Sequence, residues 1–97
     1  MTMGPEAKIE QETCRRAKAL GISNLKLEGM HNRGKADRIF MRHGRTCFVE
    51  FKAPPNKPTV LQERFLLERR EDGFPAVWCD DVDEAIKWLK HHLLRDE

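Results

Sequence analysis

The run Asp37-Arg38-Ile39-Phe40-Met41-Arg42-His43-Gly44-Arg45-Thr46-Cys47-Phe48-Val49-Glu50-Phe51-Lys52 decides how this chain is read. His43-Gly44 sits between two apolar-rich segments and has the form of a two-residue hairpin turn, in which glycine accepts the positive φ required. With the turn there, Arg42 pairs with Arg45, and counting outward sets Asp37 opposite Glu50. Directly opposed residues in an antiparallel pair hold their Cβ atoms ~4.5–5.5 Å apart, where like charges repel. A one-residue slip would instead send the two acids to opposite faces. Lys52 lies two residues beyond Glu50 and shares its face. Two acids and a lysine about one point are the donor set of metal-dependent phosphodiester hydrolysis.

The plain alternative is a solvated ribbon with ordinary surface charges, and strand parity tests it. The face of Asp37 and Glu50 also carries Ile39, Met41 and Phe48, while the other carries Phe40, Cys47, Val49 and Phe51, with Arg38 among them. Both faces are therefore expected to be largely covered, and unpaired buried carboxylates are costly. Hard oxygen ligands suit Mg²⁺ or Mn²⁺. Asp37 and Glu50 are the expected direct ligands, with the main-chain carbonyl of Phe51 as a third oxygen. Lys52 is placed to orient the attacking water or to neutralise charge on the phosphate.

Residues 1–97 are expected to form one domain, near the lower end of sizes that bury a core without help. Hydrophobic residues make up 39% and charged residues 35% of the chain, which implies a thin core that a partner would help complete. The net charge of +2 excludes bulk attraction to a polyanion, so any nucleic-acid contact must come from local patches. Nothing approaches the ~18 apolar residues of a membrane helix, and no signal-peptide pattern opens the chain; the expected location is the cytoplasm. Cys14, Cys47 and Cys79 have no metal-binding spacing and read as small core residues. His91 and His92 read as cations at a helix C-terminus.

Outward from the hairpin, Gly4-Pro5 opens a helix with Ile9, Thr13, Ala17 and Leu20 at helical spacing and Gly21 at its stop. Residues 24–28 alternate as a short strand, and 29–34 form a loop. The segment 53–58, with Pro54, Pro55 and Pro58, is irregular. Thr59 caps a helix over 60–71 that stops near Gly73, residues 76–79 form a buried strand, and Asp81 caps a final helix. The inner face of that helix is Val82, Ala85, Ile86, Leu89 and Leu93. The order α-β-β-β-α-β-α gives an α/β fold of the α+β kind, a mixed sheet flanked by helices.

These residues resemble a family. Asp37 with Glu50-Phe51-Lys52 resembles the PD-(D/E)xK nuclease signature, and the element order resembles its restriction-endonuclease-like αβββαβ core with a C-terminal helix. More narrowly, Gly34-Lys35-Ala36-Asp37, Phe48-Val49-Glu50-Phe51-Lys52-Ala53-Pro54 and Leu61-Gln62 resemble the VRR-NUC (virus-type replication-repair nuclease) group of phage and bacterial hosts, over nearly the whole chain. Ala36 departs from the family's proline, which shapes backbone and binds no metal. The resemblance implies a structure-selective DNA endonuclease using Mg²⁺ or Mn²⁺. Stand-alone members are homodimers that cut Holliday (four-way) junctions in repair and recombination, and fused members act on flaps.

The resemblance also implies roles that spacing alone leaves open. A glutamine in the helix after E-x-K belongs to the active site, although Thr59-Val60-Leu61-Gln62 also spells a capping box. An acid from the first helix joins the metal site. Glu6, inside the apolar arc of that helix, is the first choice, and Glu10, one turn on, is the alternative. Lys35, Arg33 and Arg38 flank Asp37, and Lys57 lies near Lys52, so these are the candidates to grip DNA phosphates. Trp78 and Trp88 read as core residues. A catalytically silent nucleic-acid-binding module on the same scaffold is the rival, but it would have no need of opposed carboxylates.

Overall fold

His43 and Gly44 both carry positive φ, 50° and 81°, as a type I′ two-residue turn demands. Arg42 consequently pairs with Arg45, Ile39 with Phe48, and Arg38 with Val49. One further step brings Asp37 level with Glu50, the register expected from the turn. A computed structural model describes residues 3–27 and 36–95. The loop expected over 29–34 lies outside the described residues, as do Arg33 and Lys35.

The elements run α1 (Pro5–Ala19), β1 (Ser23–Lys26), β2 (Arg38–Arg42), β3 (Arg45–Phe51), α2 (Val60–Glu71), β4 (Ala76–Cys79) and α3 (Val82–Leu93). The sheet order is β1-β2-β3-β4. β1, β2 and β3 pair antiparallel, and β4 pairs parallel to β3 after the crossover through α2. This is the expected αβββαβ core with its C-terminal helix.

Parity along the hairpin divides the core. Phe40, Cys47, Val49 and Phe51 point to one face, where Ala17 of α1 and Ala85, Ile86, Leu89 and Leu93 of α3 cover them. Burial on that face pushes the Cys47 and Cys79 thiols up to about 12, so both behave as apolar side chains. The opposite face is thinner. Leu66 of α2 packs there with Ala36 and Ala76, against Phe48, Phe65 and Trp78. Ile39 and Met41 stay half-buried on it, so this face is less covered than the alternation implies.

Caps fix the helix starts. The Asp81 carboxylate accepts the Glu84 N–H at 2.9 Å, whereas α1 begins at Gly4 with no side-chain cap. His91 and His92 fall in the last turn of α3, as expected. The His92 ring lies 4.5 Å from that of Trp88, tilted at 57°, and burial, then His91 and Arg95, lower its pKa.

Candidate metal centre

Asp37 stands just before β2 with both its carboxylate and its backbone tied. Its Oδ2 accepts the Phe51 N–H at 2.8 Å, and its carbonyl accepts the Leu27 N–H at 3.0 Å. Phe51 therefore serves the site through its main chain, its ring being fully buried on the other face.

Glu50, near the end of β3, is 1% exposed. Its Oε2 takes the Gln62 Nε2 at 3.0 Å and Lys52 Nζ at 3.2 Å. Its Oε1 is buried without a hydrogen-bond partner. Lys52 reaches the same face because its N–H extends the parallel ladder one rung past β3, bonding the Cys79 carbonyl at 2.9 Å.

Glu6, in the first turn of α1, completes the group. Among the described residues, Glu6, Asp37 and Glu50 are the three acids whose ligand atoms converge, one oxygen from each within 4.8 Å of the others. Glu10 is drawn elsewhere. Its Oε2 pairs with Arg38 Nε at 2.6 Å, while the Glu6 carboxylate is the one that converges with Asp37 and Glu50.

The charges resist one another. Burial raises the Asp37 pKa most, and Glu10 and Glu6 add to the rise, while the Phe51 N–H opposes it. Burial and then Asp37 push Glu50 up to about 7 against the pull of Lys52. Three carboxylates with a buried oxygen lacking a donor suit a divalent cation: the donors are hard oxygens, and the orphaned Glu50 Oε1 points to where charge must be compensated.

Gln62 caps α2 and also touches Glu50. Its Oε1 accepts the Thr59 N–H at 2.9 Å and its own N–H donates to Thr59 Oγ1 at 3.1 Å, completing the capping box. The same side chain donates through Nε2 to Glu50.

The expected phosphate contacts fare unequally. Glu10 holds the Arg38 Nε at 2.6 Å and Asn24 Oδ1 accepts from its Nη1 at 3.0 Å, so a phosphate would have to displace both. Lys57 Nζ lies 5.4 Å from the centre of the Trp78 ring. Trp78 is the register partner of Glu50 on β4, which puts this cation on the face of the acids. That placement of Trp78 was missed in the sequence, because parallel register follows from the crossover and has no local signature.

The fold is restriction-endonuclease-like. A solved structure described as a VRR_NUC domain superposes with a TM-score of 0.79 over 93% of this chain and 99% of that one, at 24% identity. Models of known protein families match no part of the chain, and no curated protein matches it. At this identity the likeness concerns the fold.

Proposed function

We propose that this chain is a metal-dependent, structure-selective DNA endonuclease of the VRR-NUC kind, acting as a homodimer on four-way junctions. The convergence of Glu6, Asp37 and Glu50, with Glu50 Oε1 buried and unpartnered, carries the reading. The shared fold with a VRR_NUC domain supports it.

Glu6, Asp37 and Glu50 would hold Mg²⁺ or Mn²⁺, with the Phe51 carbonyl as a further oxygen. When bound, such an ion supplies electrostatic stabilisation of charge on the scissile phosphate and a more acidic water. The remaining work belongs to the chain. Gln62 fixes Glu50 through Oε2 and leaves Oε1 free for the ion. Lys52 faces the same point, where its ammonium orients the attacking water or neutralises charge developing on the phosphate. Lys57, and Arg33 and Lys35 from outside the described residues, would bind flanking phosphates. The exposed Val60, Leu61 and Leu67 of α2 support a homodimer, as apolar side chains a second copy would cover.

Labelled four-way, flap and linear duplex DNA, each with Mg²⁺, Mn²⁺ or EDTA, test the proposal. Metal-dependent cutting favouring the four-way junction is expected, with a dimer in analytical ultracentrifugation. Preference for the flap would move the substrate, and binding without cutting would leave a silent module. Asp37→Asn and Glu50→Gln are expected to abolish cleavage while the metal-free protein melts no lower than wild type, because each removes repulsion within the cluster. Wild-type turnover in either variant would sink the assignment.

A further inference from the structure

We infer that the Arg38–Glu10 ion pair is a positioning clamp that holds Glu6 at the metal centre; the inference rests on the metal reading above. Each partner neighbours a cluster acid. Arg38 follows Asp37 directly in the chain, and Glu10 lies one helical turn beyond Glu6 on α1. The pair is close and sheltered, 2.6 Å with side chains 18% and 10% exposed, and Asn24 of β1 anchors the other arm of the guanidinium. One arginine thus ties α1 to β2 and β1 at the rung beside the acids.

The first turn of α1 needs such a tie. It starts without a side-chain cap, and the apolar anchoring of α1 in the core begins at Ile9 and runs C-terminally from there. Glu6 lies before that anchor, facing two carboxylates that repel it. Without the clamp, the cheapest relief for the cluster is for the first turn to lift away. A second inter-element ion pair of α1 among the described residues, Arg16 with Asp83 of α3, is exposed and ~15 Å along the helix from Glu6, at 1.5 Å rise per residue. It ties the helix down without bearing on Glu6 and serves as the control.

Mn²⁺ affinity, read from free Mn²⁺ by electron paramagnetic resonance, tests the clamp apart from turnover. Glu10→Gln preserves shape and removes the charge; it is expected to weaken Mn²⁺ binding roughly tenfold, the usual scale for a partner that orients a ligand. In a Glu6→Gln background the same change is expected to cost less than about twofold, because a residue acting only through Glu6 has nothing left to position. A general field effect of the lost charge would persist in that background. Arg16→Gln is expected to leave Mn²⁺ affinity unchanged.

Thermal melts accompany each titration, and if Glu10→Gln fails to fold, the same two comparisons are made with Arg38→Gln, which also removes the ion pair. Unchanged affinity in the folded variant, or an equal loss in both backgrounds, overturns the clamp while leaving the metal reading intact. A wild-type protein that binds no Mn²⁺ overturns both.

Discussion

Gln62 uses one amide for two purposes, and its neighbours show how to separate them. Oε1 faces the backbone N–H of Thr59 and Nε2 faces Glu50, so the cap fixes which end of the amide meets the acid. Because the orienting donor is main chain, it survives any substitution of Thr59 except proline. Thr59→Ala therefore removes only the hydroxyl that receives the Gln62 N–H, and is expected to cost about 1 kcal/mol in urea denaturation with cleavage close to wild type. Gln62→Ala loses the contact with Glu50 as well, and its cleavage rate is expected to fall roughly tenfold or more. Equal cleavage in the two variants would reduce Gln62 to a cap.

At the scale of elements, the hairpin turn sets everything that follows. Gly44, at φ 81°, has no heavy atom within 4 Å of where a Cβ would stand, so Gly44→Ala meets a backbone penalty and no clash. Denaturant titration is expected to show a loss of about 1 kcal/mol. Mn²⁺ affinity should hold, because Phe40–Cys47 and Ile39–Phe48 keep the register. A large loss of affinity would mean that the turn alone sets it. This turn is also why so much was legible in the sequence. Local signals, namely His43-Gly44, the Thr59 capping box, Asp81 and the glycine stops, mark elements that the structure places at nearly the same residues. Asp37 against Glu50 followed by counting. What escaped was non-local. Glu10 and Glu6 lie on one helix, and only the packing of α1 over β1 and β3 brings Glu10 to Arg38 while Glu6 meets the other acids. Strand parity already sets Arg38 on the face opposite Asp37; what parity does not show is that Glu10 of α1 and Asn24 of β1 meet its guanidinium there.

For the whole molecule, the site is an electrostatic load on the fold, because Glu6, Asp37 and Glu50 come from α1, the approach to β2, and β3. The load has a sign in pH. Glu50 titrates at about 7 in the folded protein against an ordinary value of 4.5, and Asp37 is raised as well. Between those pH values the folded state keeps a proton that the unfolded chain has released. Stability is therefore fully present below the ordinary carboxylate range and falls as pH rises through about 7. A divalent cation bound only by the native state replaces that proton and restores stability by mass action. In EDTA, the melting temperature is expected to fall from about pH 5 to about pH 8, and the gain on adding Mn²⁺ to grow over the same interval. Glu50→Gln removes the titrating group and should flatten much of the EDTA profile. A wild-type profile that rises with pH in EDTA would mean that Glu50 is ionised in the metal-free fold, and the orphaned Oε1 would then have to be stabilised by some other donor.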